Sequence, residues 1–310
     1  MKILVTGAAG FIGFHTAVAL LERGDSVVGV DNLNEYYDIS LKKSRLEILR
    51  KYGNFSFHQV DLADFDLDVE VDSICHLGAQ AGVRYSIENP IAYEQSNSLG
   101  TLRIFEFARQ KKIKSVIYAS SSSVYGNCAN VPFKESEKLD EPISLYAATK
   151  KANELYAHVY HHLYGINMIG LRFFTVYGPY GRPDMAIFKF TKNILEEKPI
   201  DVYNNGELKR DFTYVDDVVS GIVAALDSDL SFEVINLARG ETVELLDFIK
   251  AIEEAVGKKA KLNMMPMQSG DVFQTFGDIS LASQKLGYKP TVSIKEGVKK
   301  FVEWYKGYYR

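Results

Sequence analysis

The stretch Thr6-Gly7-Ala8-Ala9-Gly10-Phe11-Ile12-Gly13 follows a short β-rich run and opens a helical pattern. Its three glycines permit a tight turn, close approach of the backbone to a diphosphate, and close packing of the helix on the strand. Free N–H groups and the positive end of the helix dipole favour phosphate at the same place. The stretch therefore predicts a dinucleotide-binding loop, and the alternative is three glycines in an ordinary turn.

The next predicted strand ends at Asp31, where a carboxylate can accept from both hydroxyls of an adenosine ribose. The same charge would repel a 2′-phosphate, which favours NAD over NADP; the alternative is a surface aspartate. Asp61 and Leu62 end the third strand and could meet the adenine, although Asp61 could equally be a structural cap. The residues of this part of the chain predicted to contact NAD are Gly7, Gly10, Phe11, Ile12, Gly13, Asp31, Asn32, Asp61, Leu62, Leu77 and Ala79.

Short β-rich runs alternate with helical patterns through the first half of the chain, which is typical of a parallel sheet. The predicted strands are Lys2–Thr6, Ser26–Asp31, Phe55–Leu62, Ser73–Ala79, Ser115–Ser122 and Ile166–Phe174. The predicted helices are Phe11–Arg23, Ser98–Lys111, Leu145–Tyr164, Met185–Glu196, Val215–Leu226, Thr242–Val256 and Ile294–Tyr305. The acidic connection 62–71 is too short for a full crossover helix, so we expect one turn or an extended link there.

These elements predict an α/β fold in two parts. Residues 1–175 are expected to form a Rossmann-type doubly wound parallel sheet that binds NAD. Residues 176–310 are expected to form mainly a smaller C-terminal α/β substrate domain, with some segments returning to pack on the first.

The bulk composition is that of an ordinary soluble globular protein, with 46% hydrophobic and 25% charged residues. The net charge of −4 comes without a basic block, so nothing in the sequence proposes nucleic acid or an anionic membrane as a partner. Two cysteines, Cys75 and Cys128, are expected to be reduced thiols in a cytoplasmic protein.

Tyr146 and Lys150 are four residues apart in a predicted helix and so share one face. A lysine cation beside a phenol favours the phenolate, so a group with a free pKa of about 10 can act as a base near neutrality. The alternative is a half-buried tyrosine with a solvated lysine. The dinucleotide loop upstream favours the catalytic interpretation.

The motifs TGAAGFIG (6–13), SSSSVYG (120–126) and YAATK (146–150), with Asp31, closely resemble the extended short-chain dehydrogenase/reductase family over essentially the whole chain. RFFTVYGP (172–179) and KRDFTYVDD (209–217) are similar to the nucleotide-sugar branch of that family. The combination of AGVRYSIENP (81–90), SLYAATKKANE (144–154), RFFTVYGPYGRPDMA (172–186) and MQSGDV (267–272) is most similar to UDP-glucuronate 4-epimerases.

The resemblance implies an isomerase that converts UDP-glucuronate to UDP-galacturonate through a transient 4-keto sugar, with NAD reduced and reoxidised in each turnover. Tyr146 would be the acid/base, and Lys150 would lower its pKa and bind the nicotinamide ribose. Ser121 would hydrogen-bond the reacting hydroxyl, a role that Ser122 could share or replace. The residues implied to bind the UDP-sugar are Arg84, Ser121, Ser122, Ser123, Tyr146, Thr175, Arg182, Arg210, Gln268 and Asp271.

Thr175 and Arg182 fall where the sugar and its acid group are expected, and Arg210 matches an arginine that holds the UDP phosphates. Arg84 could instead be exposed to solvent. Family decarboxylases and 4,6-dehydratases carry acidic residues before Val-Tyr-Gly, where this chain has Ser122 and Ser123. Since elimination needs an acid and a base, dehydration is disfavoured.

Three functional alternatives stay open at this stage: a 4-epimerase of a neutral or N-acetylated UDP-hexose, a UDP-glucuronate decarboxylase, and a catalytically silent NAD-binding protein. The resemblance also implies a homodimer in which the helices Ser98–Lys111 and Leu145–Tyr164 form a four-helix bundle; packing within one chain is the competing interpretation. No metal site is expected, since His158, His161 and His162 follow a helical pattern rich in aromatic residues.

Overall fold

A seven-stranded parallel sheet forms the centre of the protein in the computed structural model, which describes residues 1–268 and 272–309. Across the sheet the strands lie in the order Phe232–Leu237, Asn167–Phe173, Ser115–Ser121, Ser73–His76, Lys2–Thr6, Ser26–Asp31 and Phe55–Gln59, with helices on both faces. This arrangement confirms the predicted Rossmann-type fold. The inner strands are buried on both faces (Ile3, Leu4 and Val5 are 0% exposed), which is why they read as continuous apolar runs.

The strands are β1 Lys2–Thr6, β2 Ser26–Asp31, β3 Phe55–Gln59, β4 Ser73–His76, β5 Ser115–Ser121, β6 Asn167–Phe173, β7 Thr175–Tyr177, β8 Pro199–Tyr203, β9 Lys209–Arg210, β10 Phe212–Tyr214, β11 Phe232–Leu237, β12 Val243–Glu244 and β13 Lys261–Met265. The helices are α1 Phe11–Glu22, α2 Ile39–Leu49, α3 Tyr85–Glu88, α4 Pro90–Tyr93, α5 Gly100–Gln110, α6 Leu145–Tyr164, α7 Ala186–Leu195, α8 Val215–Leu226, α9 Leu245–Val256, α10 Ser280–Leu286 and α11 Ile294–Tyr308.

The connection after β3 contains one 3₁₀ turn, Leu62–Asp64, and is otherwise extended up to β4, which confirms the prediction for this link. The helix predicted from Ser98 begins instead at Gly100. It is preceded by a π-helical segment, Glu94–Leu99, that buries Asn97. Each residue of a π-helix turns the chain less than in an α-helix, so the segment rotates Asn97 toward the interior.

Helix α2 has no counterpart among the predicted elements. Its buried face includes Lys42 and Arg45 beside three leucines, so the apolar period that marks a helix is interrupted. Arg45 is fully buried and donates to the carbonyl groups of Ala9 at 2.7 Å and Tyr180 at 2.5 Å. A charged side chain therefore fills a core position because two loops offer it acceptors.

In the second half of the chain, the described residues form three small two-stranded sheets, β7–β10, β8–β13 and β9–β12, packed with α7, α9 and α11. Its core continues into that of the first half, and the rings of Phe212 and Phe248 stack at 3.9 Å between centroids. Strand β11 leaves this half and pairs with β6 at the edge of the main sheet. The domain division at residue 175 stays a prediction.

None of the helices in the described ranges, 1–268 and 272–309, has the length and apolar character needed to cross a bilayer.

Candidate active site

A cleft opens at the carboxyl ends of β1, β2, β4 and β5, beside the point where the strand order reverses between β1 and β4. Ligands of open α/β sheets bind at such a switch point. The predicted site residues that the structure brings together in this cleft are Gly7, Gly10, Phe11, Ile12, Gly13, Asp31, Asn32, Leu62, Leu77, Ala79, Ser121, Tyr146, Lys150 and Arg182.

The glycine loop leaves no space for side chains where its backbone segments lie closest together. Gly7 has φ +70°, and a Cβ at Gly13 would lie 2.0 Å from the Gly7 carbonyl oxygen. Helix α1 can therefore start directly under the loop and direct its free N–H groups into the cleft. The loop fits the diphosphate of NAD.

Asp31 lies beneath this loop with both carboxylate oxygens held by the backbone. They accept from the N–H groups of Leu33 at 2.8 Å and Ala9 at 3.2 Å. Burial raises the pKa of Asp31, and the positive charge of Lys42 works against that rise. The fixed carboxylate keeps lone pairs for a ribose, so the site fits NAD.

Tyr146 lies in the first turn of α6, which Ser144 caps by accepting from the Ala147 N–H at 3.1 Å. Ser121 lines the same cleft as Tyr146 and is near enough to act on the pKa of the phenol. Burial raises the pKa of Tyr146, while Ser121 and the charge of Arg182 lower it.

Lys150 lies one turn further along α6, is 2% exposed, and donates to the Ala119 carbonyl oxygen at 2.9 Å. Burial lowers its pKa to about 8. Ser121 and Arg182 are the side chains that act to lower the pKa of Tyr146. The effect of Lys150 on that pKa stays a prediction, and one of the three N–H groups of its ammonium is bonded to the β5 backbone.

A buried ion pair supports the serine tract from behind. Arg172 donates to both oxygens of Glu154, at 2.8 and 2.9 Å, and Ser120 donates to Glu154 at 2.7 Å. Tyr125 accepts from Arg172 at 2.9 Å. Buried charges are stable only when their hydrogen bonds are satisfied, so this network fixes the strand end that carries Ser121.

The remaining described candidates do not line the cleft. Asp61 caps the Leu62–Asp64 turn by accepting from the Ala63 N–H at 2.9 Å, and it also accepts from the Asn32 amide at 2.8 Å, so the structure supports the capping alternative. Ser123 donates from its N–H and its hydroxyl to the Ser121 hydroxyl, at 3.1 and 2.9 Å. Ser122 precedes it in the same turn.

Arg84 stacks its guanidinium over the Tyr203 ring at 5.0 Å. Arg210 donates to the carbonyl oxygens of Lys209 and Phe273, at 3.0 and 3.1 Å. Thr175 and Gln268 are half-buried, and Asp271 lies outside the described residues. The substrate roles of these residues stay predictions.

Sequence reasoning missed a second group of cleft residues: Asn34, Tyr36, Tyr37, Lys42, Gln80, Phe174 and Met185. Several lie in the stretch 32–38, whose signal is a polar and aromatic loop directly after Asp31. Asn97 was also missed: it bonds the Gln80 backbone at 2.8 and 3.0 Å and donates to the Thr149 hydroxyl at 3.1 Å. An asparagine ahead of an apolar helix is a weak signal.

Comparison with known proteins gives three kinds of match. The family model described as GDP-mannose 4,6 dehydratase matches residues 4–301. UDP-glucuronate 4-epimerase 4 of Arabidopsis thaliana is 47% identical over 100% of this chain and 76% of its own. An uncharacterized protein of Methanocaldococcus jannaschii is 57% identical over 98% of this chain and 96% of its own.

Among solved structures, the UDP-glucuronic acid 4-epimerase of Bacillus cereus, crystallised with UDP-glucuronic acid and NAD, superposes with a TM-score of 0.94. It is 38% identical, and the match covers 100% of both chains.

Proposed function

The chain belongs to the GDP-mannose 4,6-dehydratase family, and we propose that within it this protein is an NAD-dependent UDP-glucuronate 4-epimerase. The observation that carries the proposal is the placement of Tyr146, Ser121 and Arg182 in one cleft with the glycine loop and Asp31. A phenol beside a serine hydroxyl suits proton transfer at a sugar alcohol, and a cation suits an acidic sugar.

The protein's own groups supply the proton chemistry. NAD, when bound, stores a hydride taken from the sugar and returns it, so the reaction has no net redox change. Tyr146, as the phenolate, takes the proton of the C4 hydroxyl and becomes the neutral phenol, while Ser121 holds that hydroxyl in line. After the keto sugar has turned its other face to the site, Tyr146 returns the proton. The glycine loop, Asp31 and Lys150 would hold the cofactor.

A uronic acid substrate introduces a side reaction, the loss of CO₂, that the cleft must prevent. A 4-keto uronate is a β-keto acid, which loses CO₂ when its carboxylate bond lies parallel to the carbonyl π system. Holding the carboxylate through Arg182 in another plane would suppress that loss, because charge-assisted hydrogen bonds are directional.

The substrate assignment is tested by incubating the protein, without added reductant, with UDP-glucuronate, UDP-glucose and UDP-N-acetylglucosamine in parallel. We expect NMR to show UDP-galacturonate from the first alone. Conversion of only a neutral sugar would contradict the substrate assignment. A pentose product would show decarboxylation. Bound NAD without any conversion would favour a catalytically silent NAD-binding protein.

For the assembly we propose a homodimer built on α5 and α6. The apolar stripe of α6 faces outward: Leu155, Val159 and Leu163 are 59, 47 and 60% exposed. Leu99 and Leu102, at 41 and 38% exposed, extend this surface. Exposed apolar patches of this kind mark protein interfaces, and two copies would form a bundle of four helices.

We also propose a cytoplasmic location for the protein. This proposal rests on its two free cysteines, Cys75 and Cys128, which a reducing compartment keeps as thiols.

Replacing Leu155 and Val159 by aspartate should make the protein monomeric by light scattering. Full burial of each side chain is worth about 1.5–3 kcal/mol, so the dissociation constant should rise at least ~100-fold. Leu262→Asp is the matched control, because Leu262 is 44% exposed on β13, away from both helices. A double variant that stays dimeric would contradict the proposed interface.

A further inference from the structure

Arg182, which lines the cleft, is bound by Asp184 along one edge of the Arg182 guanidinium. Arg182 donates from Nε to Oδ1 at 3.0 Å and from Nη2 to Oδ2 at 2.5 Å. The side chains are 20 and 27% exposed, so solvent reaches both only in part. Burial alone would lower the pKa of Arg182, but the charge and hydrogen bonds of Asp184, together with nearby Tyr36 and Tyr37, raise it. The pair is therefore charged at any physiological pH.

Tyr36 holds Asp184 in turn. Its hydroxyl donates to Oδ2 at 3.2 Å, and its ring lies 5.8 Å from the Arg182 guanidinium. Tyr36 follows Asp31 on the loop after β2 and lines the cleft. The loop beside the proposed ribose site therefore fixes the orientation of the arginine.

A guanidinium has two edges that can pair with a carboxylate, one formed by Nε and Nη2 and the other by Nη1 and Nη2. Asp184 uses the first edge. The second can then meet a substrate carboxylate without breaking the existing pair, so a uronate would bind to an arginine already fixed in place. Such preorganisation lowers the entropy cost of binding.

We propose that Asp184 and Tyr36 are positioning residues that fix the Arg182 guanidinium and thereby set the preference for acidic over neutral UDP-sugars. The inference rests on the proposed function, in which Arg182 meets the sugar carboxylate. The opposite arrangement, in which Asp184 competes with the substrate for Arg182, makes the opposite prediction for its removal.

The test is calorimetry of NAD-loaded protein with UDP-glucuronate and with UDP-glucose. Asp184→Asn keeps the shape and an acceptor for Tyr36 but removes the charge. We expect the Kd of UDP-glucuronate to rise about tenfold and that of UDP-glucose to change less than about twofold, the size of effect expected from loosening one charge-assisted contact. Losing a negative charge favours every anionic ligand, so the ratio of the two constants is the informative quantity.

Tyr36→Phe keeps the ion pair and should shift the same ratio in the same direction, by less. It keeps the inference testable if Asp184→Asn fails to fold. Asp227→Asn is the matched control: Asp227 accepts from Arg23 at 2.6 Å on the surface, and neither constant should change.

Four outcomes would overturn the inference. Tighter binding of UDP-glucuronate by Asp184→Asn would show competition, and equal weakening of both sugars would show a merely structural role. In a parallel arm, Arg182→Ala separates this inference from the proposed function. If that variant loses selectivity and Asp184→Asn keeps it, only the positioning role fails. If Arg182→Ala keeps selectivity, the carboxylate assignment fails and the inference with it.

Discussion

Tyr146→Phe should lower kcat for epimerisation about 10³-fold, within the ~10²–10⁴-fold range of general acid–base catalysis. The substitution removes one oxygen atom, which is the proton acceptor of the proposed mechanism. The ring stays, and its contact with the Tyr93 ring at 6.0 Å should keep the local packing. Folding and NAD content should therefore be unchanged.

Turnover is measured by NMR, NAD content by absorbance after denaturation, and folding by the melting temperature. Tyr156→Phe makes the same chemical change at a half-buried position on the same helix and serves as the control. A Tyr146→Phe enzyme that keeps more than about a tenth of kcat would show that another group moves the proton, since one tenth lies above the range lost with an acid–base residue.

Arg182→Ala should weaken UDP-glucuronate binding by ~10–100-fold, since hydrogen bonds to charged groups contribute about 1.5–3 kcal/mol. UDP-glucose has no carboxylate at C5, so its affinity should change by less than about threefold, a limit set by the charge effect on the shared diphosphate. Arg182 lines the cleft and acts on the pKa of Tyr146, which places its charge near the reacting sugar.

Arg182→Lys is the matched variant, because it keeps the charge but loses the planar fork, and its effect should be intermediate. Removing Arg182 also leaves Asp184 without its partner, so the melting temperature must be compared before affinities are interpreted. Equal losses of binding affinity for the two UDP-sugars, measured by calorimetry, would contradict the assignment of Arg182 to the sugar carboxylate.

The parts of the site that were predictable are those in which local chemistry fixes the chain. Helix α6 was predicted over its full range, Leu145–Tyr164, because Ser144 caps one end and Gly165, with φ +65°, terminates the other. The glycine loop was predictable for the same reason: a side chain at Gly13 has no space.

The parts that sequence reasoning missed depend on contacts between distant segments. Helix α2 was not predicted because Arg45 fills a core position, and the carbonyls of Ala9 and Tyr180 that accept its hydrogen bonds lie on other loops. The partners of Arg182 were not predicted for the same reason, since Tyr36 lies on another loop and only folding brings it to Asp184. The sequence marks such residues as polar but does not specify their partners.

The outward-facing apolar residues of α6 show a different limit of prediction from sequence. Leu155, Val159 and Leu163 recur at helical spacing in the sequence and so share one face, but the spacing does not say whether that face packs against the protein's own core. The inner face of the helix instead buries polar residues, among them Lys150 and Glu154, because the active site lies there. Catalysis has thus reversed the usual pattern of an amphipathic helix.

The pairing of β11 with β6 has a consequence for biosynthesis. Six residues of β6 pair with β5 on one side and with Phe232–Leu237 on the other, so this edge of the main sheet stays open until the chain has been made as far as β11. Since Met168–Phe173 is entirely buried, the nascent edge is both unpaired and apolar, the combination that promotes strand-to-strand aggregation. The nucleotide-binding half therefore depends on a late segment for its completion, and we expect a chain truncated before residue 232 to need chaperones.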